Sequence, residues 1–565
     1  MTSQSRAVEE VDLLVFGAGA GGMTAALTGA INGLDVLLCE KSDMVGGTTA
    51  TSGGTTWIPG TSQSERAGVP DRVEDADAFL KSVVGNRGGD ELRAAFLASG
   101  RAAVDMLERE SEVKFTAAQA HPDYLGGHPG AAYGGRALVP DMFDGRLLGD
   151  EFRRVRPPHR VFMGLGGMMV GRGEVASLLN PFSSLQNLKV TLSVVLRYFA
   201  DRLKYPRGTR LLMGNALVAR LYYSLRQRNV PVLFNAPLKE LIIEDGKVVG
   251  AQVSTPEGTR TIRARRGVVL ATGGVAWNRE LRQKLFPKEV AMRSQAPEPN
   301  TGDGISIAVK SAGARLDDGH DSPALWMPCS IMKREDGTDA VWPHIILDRA
   351  KPGLIAVGPD GRRFVNESDS YHDFCMGMIR AGLKEAWLVV DDAFIRKYGL
   401  GLVFPGAKKL GYFLKKGYVT KGATLAELAQ KIGVDAANLQ DTVERHNGYA
   451  VTGEDLEYGR GTSVMNRFNG DAEVKPNPCM KPIEAAPFYA LKVQPLDLAC
   501  SAGLTCNANG QVLSEAGSPI EGLYACGNDM TSLFRGTYPG PGTTIGPAIV
   551  FGWRIAQHLA NKLQD

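Results

Sequence analysis

The chain has 565 residues, of which 44% are hydrophobic and 22% are charged, and its formal net charge is +3. This composition is typical of a globular protein with a large core, and the length corresponds to roughly three to four domain-sized units or two larger ones. The small net charge and the lack of a nucleic-acid-binding motif argue against nucleic acid as a partner, and cysteines without metal-ligand spacing predict buried thiols and no metal site.

The chain starts with MTSQSRAVEEVD, which lacks the charged-then-apolar pattern of a signal peptide. No stretch reaches about 18 uncharged apolar residues, the length a transmembrane helix requires. We therefore expect a cytoplasmic protein that is neither exported by that route nor transmembrane.

The first predicted elements form a dinucleotide-binding unit. Residues 11–16, VDLLVF, are expected to form a buried parallel strand, and GAGAGG at 17–22 satisfies G-x-G-x-x-G before the small-residue helix MTAALTGAINGL. A second strand, DVLLCE, ends at Glu40. In this context the glycines allow a pyrophosphate to approach the helix N-terminus, and Glu40 can accept from ribose hydroxyls.

Further glycine-rich turns favour FAD over a nicotinamide cofactor. KSDMVGGTTATSGGTTWIPG follows Glu40, GVVLATGG (267–274) is expected to end a strand at the cofactor, and TGDG (301–304) and GLYACGN (522–528) supply later turns. A nicotinamide enzyme needs only the first βαβ unit, whereas these turns suit FAD held across a discontinuous domain. The residues expected to contact FAD are Gly17, Gly19, Gly22, Glu40, Lys41, Gly47, Thr48, Thr49, Ser52, Gly53, Gly54, Ala271, Thr272, Gly273, Gly274, Asp303, Gly527, Asn528, Thr544 and Ile545.

A basic amphipathic insertion is predicted at about 153–212. It begins with RRVRPPHR (153–160), and LQNLKVTLSVVLRYFADRLKYPRGTR (185–210) places apolar residues at helical three- and four-residue steps. The apolar positions are Leu185, Leu188, Leu192, Val195, Phe199 and Leu203, and the cations are Lys189, Arg197, Arg202, Lys204, Arg207 and Arg210, against the single acid Asp201. The pattern suits an interfacial helix on an anionic bilayer, and also a core-facing helix with a solvated basic side.

The order of these elements predicts an α/β protein in which a Rossmann-like FAD-binding domain is interrupted by an α+β substrate domain. The FAD-binding domain is expected at 1–290 and again at 485–565, with the substrate domain at 291–484 and the active site at their interface. HDSPALWMP (320–328) is expected near the cavity, with Trp326 and Met327 left open between cavity and core. The pair Asp391-Asp392 is expected to form a strand-end turn.

The segment RGTYPGPGTTIGP (535–547) combines glycines and prolines with Tyr538 and runs directly into the apolar stretch AIVF. A linker would be more polar and would not lead straight into a core helix. We therefore predict that this turn belongs to a site.

Together, GAGAGG, GGTTATSGG, ATGG, TGDG and GLYACGN resemble the FAD-dependent fumarate reductase and ketosteroid dehydrogenase superfamily over nearly the whole chain. The fumarate reductases carry an arginine in an N-R-L-G-G-N turn, where this chain has Tyr538 and Pro539. The chain therefore lacks the acid that dicarboxylate reduction requires. Those enzymes often attach FAD to a histidine near the TSGG segment. Residues 1–120 contain no histidine, and we expect noncovalent FAD.

The turn TYPGPGTTIGP resembles that of the 3-ketosteroid Δ1-dehydrogenases, which implies that the Tyr538 hydroxyl and the Gly542 N–H hold a C3 carbonyl. Removing a hydride from C1 is difficult unless charge at C2 can spread into an enolate, and two donors supply that stabilisation. RRFVNESDSYHDF (362–374) resembles the family's substrate-domain motif and implies that Tyr371 removes the C2 proton.

A phenol with a pKa near ~10 is a poor base unless its phenolate is stabilised. The family uses a second tyrosine in a loop rich in Pro and Gly, which HPDYLGGHPGAAYGG (121–135) resembles, so Tyr124 is expected there, with Tyr133 as the alternative. His372 is expected to have no special role, because NESDS is typical of a surface segment.

The resemblance implies FAD-dependent 1,2-dehydrogenation of 3-ketosteroids, from the 3-keto-4-ene to the 1,4-diene, with hydride transfer from C1 to flavin N5, in steroid and sterol degradation. The chain has no iron–sulfur or haem motif, so we expect an external electron acceptor such as a quinone. The alternatives are Δ4-(5α) dehydrogenation, whose family turn differs from Y-P-G-P-G, and a non-catalytic membrane-associated flavoprotein.

Overall fold

A mixed sheet built around the first strand, here called the N-terminal sheet, forms one half of the fold. In this computed structural model, which describes residues 9–345 and 348–562, strand Glu9–Phe16 lies between Val36–Cys39 and Gly258–Leu270, all parallel. Their apolar ends are buried, as expected for parallel strands covered by helices. The sheet also contains Val232–Leu233, Leu238–Glu244, Lys247–Thr255, Gln511–Leu513 and Pro519–Ala525.

Helices from both ends of the chain cover this sheet. Ala20–Ile31 begins directly after the first glycine turn and packs against Ile545–Leu559, so the two ends of the chain share one hydrophobic core. The other helices outside the inserted domain are Gly47–Thr51, Ser62–Arg66, Val73–Val84, Asp90–Glu110, Val175–Leu179, Leu185–Arg202, Met213–Gln227, Arg279–Leu285 and Asp303–Ala312.

A second sheet is antiparallel throughout and forms the core of the inserted domain. Its central strand, Phe488–Cys500, pairs with Ala324–Lys333, Ala386–Asp391 and Val419–Gly422. Asp339–Pro343 and Leu354–Val357 lie outside them, and the helices of this half are Tyr371–Arg380, Asp392–Tyr398, Leu410–Lys415, Leu425–Ile432, Ala436–Thr452 and Val464–Asn469. The predicted α/β class with an inserted α+β unit is confirmed.

Both predicted boundaries of the substrate domain move. Helix Asp303–Ala312, which lies within the expected 291–484, packs on the N-terminal sheet and belongs to its core. We expected residues from 485 onward to return to the FAD-binding domain, yet Phe488–Cys500 is the central strand of the inserted sheet. The chain rejoins the N-terminal sheet only at Gln511–Leu513. A central strand is buried on both faces, so its apolar run resembles a strand of either sheet, and the sequence pattern could not separate the two.

Short strand pairings and 3₁₀ helices lie outside the two main sheets. The small strand pairings are Thr56–Trp57 and Phe115–Ala117 with Ala137–Pro140, Phe143–Asp144 with Arg210–Leu211, Met163–Gly164 with Met168–Met169, and Leu316–Asp317 with Gly503–Leu504. The 3₁₀ helices are Gly145–Arg154, Arg160–Phe162, Arg172–Glu174 and Gly527–Asp529.

Two local predictions can be compared directly with the structure. Asp391 ends its strand and caps the next helix by accepting from the Phe394 N–H at 2.9 Å, so its role is structural, as expected. All seven cysteines are buried free thiols.

A buried ion pair joins the crossover, the segment in which the chain passes from the N-terminal half to the inserted domain, to the antiparallel sheet. The Arg282 guanidinium, on helix Arg279–Leu285, contacts the Asp497 carboxylate at 2.5 Å and donates to the carbonyls of Ala276 and Ala291. Both side chains are almost fully buried. Each charge therefore depends on the other for its stabilisation.

We expect Arg282→Met to lower the free energy of unfolding by about 3–5 kcal/mol, because it leaves the Asp497 carboxylate buried without its partner. The exposed pair Lys431–Glu427 gives a matched control, and Lys431→Met should change the unfolding free energy by no more than ~1 kcal/mol. Thermal unfolding of both variants checks this, and similar midpoints for the two would contradict it.

Candidate active site

One cavity is lined by residues of both halves. From the N-terminal half come Gly17, Glu40 and Asp303, and from the inserted domain come Met327 and Tyr371. The predicted interface site is therefore present as a continuous cavity that both halves enclose.

The glycine turn gives this cavity a helix N-terminus. A Cβ added to Gly22 would lie 1.9 Å from the Gly17 carbonyl oxygen, so only glycine lets the helix begin this close to the strand. At the end of the second strand, the Glu40 carboxylate accepts from the N–H groups of Ala18 at 2.9 Å and Ser42 at 2.8 Å. An open helix N-terminus beside a fixed carboxylate fits the pyrophosphate and ribose of FAD.

Most of the residues predicted to contact FAD line this same cavity. They are Gly17, Gly19, Glu40, Lys41, Gly47, Thr48, Thr49, Ser52, Gly53, Gly54, Ala271, Thr272, Gly273, Asp303, Gly527, Asn528, Thr544 and Ile545. Gly22 and Gly274 are not among its lining residues, because Gly22 packs against the glycine turn and the Gly274 N–H donates to Asp529 at 2.8 Å.

Asp529 is a supporting residue that sequence reasoning missed. Its buried carboxylate accepts from the N–H groups of Thr272 and Gly274, at 2.5 and 2.8 Å, and from the Thr272 hydroxyl at 2.7 Å. These bonds hold the ATGG turn against the cavity. The acid directly after GLYACGN was the available signal, since a buried aspartate needs donors.

Three buried tyrosines meet in the wall of the same cavity. Tyr124, Tyr371 and Tyr538 have ring centroids 5.1–5.6 Å apart, and the Tyr124 hydroxyl donates to the Tyr371 hydroxyl at 3.4 Å. They come from the glycine-rich loop, the inserted domain and the C-terminal turn. The structure thus brings together three predicted side chains from distant parts of the sequence.

Gly542 lies beside this tyrosine cluster and also lines the cavity. Its φ is +95°, and a Cβ there would lie 2.3 Å from the Thr55 carbonyl oxygen, so the position requires glycine. Among the described residues, none accepts from the Gly542 N–H, although its carbonyl accepts from the Trp57 N–H at 3.1 Å. This N–H can therefore donate to a ligand.

Burial controls the protonation of the tyrosine cluster. It raises the pKa of Tyr371 well above that of an ordinary phenol, and it also raises the pKa of Tyr124 and Tyr538. The positive charge of the buried Arg349 partly opposes the rise in the pKa of Tyr124. All three hydroxyls are therefore protonated near neutral pH and can donate hydrogen bonds.

The loop that carries Tyr124 is fixed from two sides. The buried Asp123 carboxylate accepts from the Trp57 indole at 2.8 Å and pairs with Arg136 at 2.7 Å. The Tyr124 N–H donates to the Pro539 carbonyl at 2.8 Å, which ties this loop to the Tyr538 turn. Tyr133, the alternative, is 54% exposed and does not line the cavity.

The interpretation of NESDS as a surface segment is wrong. Glu367 and Ser368 within it are fully buried, and the Glu367 carboxylate pairs with Arg363 at 2.7 Å and Arg460 at 3.2 Å. His372, expected to be ordinary, is 2% exposed. Charged residues can be buried where fixed partners satisfy them, and a polar sequence pattern does not reveal such partners.

The structure shows which of Trp326 and Met327 lines the cavity and which belongs to the core. Met327 lines the cavity, whereas Trp326 is fully buried in the core of the inserted domain. They alternate along strand Ala324–Lys333, so their side chains point to opposite faces.

The basic insertion contributes Arg156, His159 and Phe162 to the cavity wall. Its helix spans Leu185–Arg202 and packs inward through Val194 and Tyr198. Three of the six cations predicted on its outer side are held by the protein itself, because Arg197 pairs with Asp144, Arg210 pairs with Glu174, and Arg207 is buried.

Replacing Glu40 with alanine should weaken FAD binding roughly 10- to 100-fold, because a hydrogen bond to a charged group contributes about 1.5–3 kcal/mol. Asp43→Ala, which removes an exposed acid nearby, is the control and should leave the affinity unchanged. Titration of the apoprotein with FAD measures both, and equal affinities for wild type and Glu40→Ala would contradict the assignment.

Comparison with known proteins agrees with this geometry. The family described as FAD binding domain matches residues 12–545. A 4-oxocyclohex-2-ene-1-carboxylate 5-dehydrogenase of Sinomonas cyclohexanicum is 38% identical over 97% of this chain and 93% of its own length. A 3-oxosteroid 1-dehydrogenase of Mycolicibacterium smegmatis is 35% identical over 98% of this chain and 97% of its own length.

Among solved structures, the 3-ketosteroid Δ1-dehydrogenase of Sterolibacterium denitrificans, in complex with 1,4-androstadiene-3,17-dione, matches with a TM-score of 0.90 and 36% identity. The match covers 98% of this chain and 100% of that one. The chain belongs to the 3-ketosteroid Δ1-dehydrogenase family and is an FAD-dependent dehydrogenase.

Proposed function

We propose that this enzyme dehydrogenates the C1–C2 bond of 3-ketosteroids, converting a 3-keto-4-ene into a 1,4-diene. The observation that carries the proposal is the meeting of three buried tyrosines and the Gly542 N–H in the cavity that the cofactor loops also line. This arrangement offers a ketone oxygen two donors and offers the adjacent carbon a proton acceptor. The relatives named for this reaction cover nearly the whole chain.

The Tyr538 hydroxyl and the Gly542 N–H are assigned to the C3 oxygen. Charge that develops on this oxygen as C2 loses its proton is stabilised by donors already in place, and their effect is large because the cavity is apolar. Tyr538 is fixed by its turn, in which Arg535 pairs with Asp317 and donates to the Arg87 carbonyl at 2.9 Å.

Tyr371 is assigned to remove the C2 proton as a phenolate, which forms when its own proton passes to solvent and is stabilised by the hydrogen bond that the Tyr124 hydroxyl donates. Burial raises the pKa of Tyr371, so its phenolate is scarce near neutral pH but strongly basic. Removal of the C2 proton also depends on the two donors that hold the C3 oxygen, because they stabilise the enolate that forms. Bound FAD supplies the acceptor for the hydride of C1, and we expect it to be noncovalent. The reduced enzyme is expected to pass its electrons to an external acceptor of the quinone class.

Apolar side chains favour a steroid at this site. Met327, Pro343, Leu498 and Phe162 line the cavity, and an uncharged ring system would bury its surface against them. Of the described cations, Lys41 and Arg156 line the cavity. Lys41 pairs with Asp303 at 2.7 Å, and Arg156 donates to Ser42 at 2.9 Å, both on the cofactor side.

A second candidate substrate is a 4-oxocyclohexenecarboxylate, because a relative named for that compound is 38% identical to this chain. Its ring ketone would take the place of the steroid ketone and would contact the same tyrosines. It would also need a cation for the carboxylate. Of the two lining cations, Lys41 is paired with Asp303, whereas Arg156 donates to the Ser42 hydroxyl and its buried Nε has no partner among the described residues, so Arg156 is the cation available for a carboxylate.

Anaerobic mixing of the FAD-loaded protein with a 3-keto-4-ene steroid tests the proposal. We expect loss of the visible absorbance of oxidised flavin and a 1,4-diene product by mass spectrometry and NMR. Flavin reduction by 4-oxocyclohexenecarboxylate but not by the steroid would support the second candidate. A new double bond at C4–C5 of a 5α-steroid would indicate the Δ4 reaction. No reduction by any cyclic ketone would overturn both assignments of the tyrosine site.

Removing the Tyr538 hydroxyl with phenylalanine should slow flavin reduction about 10²- to 10³-fold, the cost of losing one oxyanion donor. Tyr371→Phe should slow it about 10²- to 10⁴-fold through loss of the base. Tyr133→Phe is the matched control, since its exposed hydroxyl lies outside the cavity and its loss should change nothing. A wild-type rate for Tyr371→Phe would refute its role.

We also propose that the enzyme docks on the cytoplasmic face of a membrane through the helix Leu185–Arg202. Among the described residues, no helix is both long and apolar enough to cross a bilayer. Large apolar side chains are nevertheless exposed in a stripe along the outward face of this helix and at its C-terminal end. They are Leu185, Leu192, Leu196, Phe199 and Leu203, of which Leu203 is 91% exposed.

The surroundings of this stripe support docking. Lys189, Arg202 and Lys204 are exposed near it and would meet anionic headgroups. The cavity-lining Phe162 leads into the hairpin Met163–Gly164 with Met168–Met169, and Met168 packs against the helix through Val194 and Tyr198. A water-insoluble substrate leaving the bilayer would therefore enter close to the cavity.

Leu196→Asp with Phe199→Asp should lower binding to phosphatidylglycerol vesicles at least ~10-fold, because burying each apolar side chain contributes about 1.5–3 kcal/mol. Leu456→Asp changes a side chain that is 78% exposed elsewhere on the surface and is the matched control. Vesicle flotation measures the difference, and equal flotation of both variants would exclude this helix as the docking surface.

A further inference from the structure

The chain enters and leaves the inserted sheet through two short segments that lie side by side. The entry segment, residues 318–323, leads into strand Ala324–Lys333, and the exit segment, residues 501–502, follows strand Phe488–Cys500. Both backbone N–H groups of the exit segment donate to the Pro323 carbonyl at 2.9 Å. The position of the inserted sheet relative to the N-terminal half therefore depends on how these two segments are held.

Arg535, in the turn that carries Tyr538, binds the residues at the start of the entry segment. Its guanidinium forms a bidentate ion pair with the Asp317 carboxylate and donates to the Gly319 carbonyl at 3.3 Å. Its Nε donates to the Arg87 carbonyl of the N-terminal half at 2.9 Å. A bidentate pair fixes the relative orientation of its two partners as well as their distance. Arg535 therefore holds the entry segment against the turn.

His320 joins the same contact to the exit segment. Its ring nitrogens lie 3.0 Å from the Ser501 hydroxyl and 2.9 Å from the Thr531 hydroxyl, and the Thr531 hydroxyl donates to Asp317 at 3.0 Å. Burial and the adjacent charge of Arg535 lower the pKa of His320 to about 4, so the ring is neutral near neutral pH. The charge of Arg535 is therefore balanced by Asp317, and the neutral ring connects this pair to both segments.

The backbone of the turn is strained where it meets the entry segment. Arg535 has a φ of +52°, in the left-handed region that residues with a side chain rarely adopt. At the next residue, Gly536, a Cβ would lie 2.6 Å from the Ser322 nitrogen, so the turn packs directly on the entry segment. Glycine in place of Arg535 would relieve the strain. An arginine there indicates that its side chain has a role that offsets the strain.

We propose that Arg535 is a positioning residue of the dehydrogenation, which through Asp317 holds the entry segment, and with it the inserted domain, in register with the Tyr538 turn. The inference rests on the function proposed above. Tyr538 follows Arg535 by three residues, whereas Tyr371 belongs to the inserted domain, and the two tyrosine rings are 5.1 Å apart. A reacting pair displaced by about 1 Å can lose about 10²-fold in rate, so the ion pair has kinetic value beyond its contribution to stability.

Two substitutions break the ion pair from opposite sides. Arg535→Asn removes the guanidinium and keeps a residue that tolerates a left-handed backbone, and Asp317→Asn removes the carboxylate charge. The matched control is Arg101→Asn, which breaks a bidentate pair with Glu65 on the surface and should keep the wild-type rate. We would measure the rate constant of anaerobic flavin reduction at saturating steroid, the steroid dissociation constant and the thermal midpoint of each variant.

We expect Arg535→Asn and Asp317→Asn each to slow flavin reduction roughly 10- to 100-fold, with a nearly unchanged steroid dissociation constant. The double variant should be no slower than the slower single variant, because both changes break one contact. In a Tyr538→Phe background, Arg535→Asn should slow the reaction much less than in wild type, because its influence acts through the position of Tyr538. Wild-type rates in both single variants, or an equal loss with and without the Tyr538 hydroxyl, would overturn the inference.

A conservative substitution keeps the test decisive if Arg535→Asn does not fold. Arg535→Lys retains the charge opposite Asp317 but loses the bidentate geometry, so we expect a rate between those of wild type and Asp317→Asn. A wild-type rate for Arg535→Lys would show that the bidentate geometry is not needed and would contradict the inference. Failure of steroid to reduce the wild-type flavin would instead overturn the proposed function and this inference with it.

Discussion

The proposed reaction places negative charge on a ketone oxygen inside an apolar cavity, which requires donors that are already in position, and in our proposal the rest of the structure serves that requirement. Water could supply such donors, but it would compete with an apolar substrate for the same space. In the proposed mechanism the donors are instead the Tyr538 hydroxyl and the Gly542 N–H, which both line the cavity. The close approach of Gly542 to the Thr55 carbonyl shows how tightly this turn fits the N-terminal half.

The interleaved order of the chain follows from the same requirement. The cofactor loops come from both ends of the sequence, the proposed base comes from an inserted domain, and the proposed oxyanion turn precedes the last helix. Such a site depends on the relative position of two domains, and buried polar links maintain it. Arg282 with Asp497 fixes the crossover, and the Tyr124 N–H holds the Pro539 carbonyl.

Much of this organisation could be predicted from the sequence, because its signals are local. The strand, glycine turn and acid of the first unit occupy thirty consecutive residues, and the Tyr538 turn differs visibly from a dicarboxylate turn. The predictions were least successful where the outcome depends on partners far along the chain. The NESDS segment is buried only because Arg363, Arg460 and Asn466 satisfy it, and half of the predicted basic face of the insertion is used in internal contacts. The central strand of the inserted sheet was assigned to the wrong half for a similar reason, since burial on both faces is common to both sheets.

The most direct test of the central claim is an experimental structure of the FAD-loaded enzyme with a bound 1,4-diene-3-ketosteroid. The account predicts that the C3 oxygen lies within about 3 Å of both the Tyr538 hydroxyl and the Gly542 nitrogen, with the Tyr371 hydroxyl facing C2. A steroid whose ketone points away from this pair, toward the basic insertion or into solvent, would contradict it.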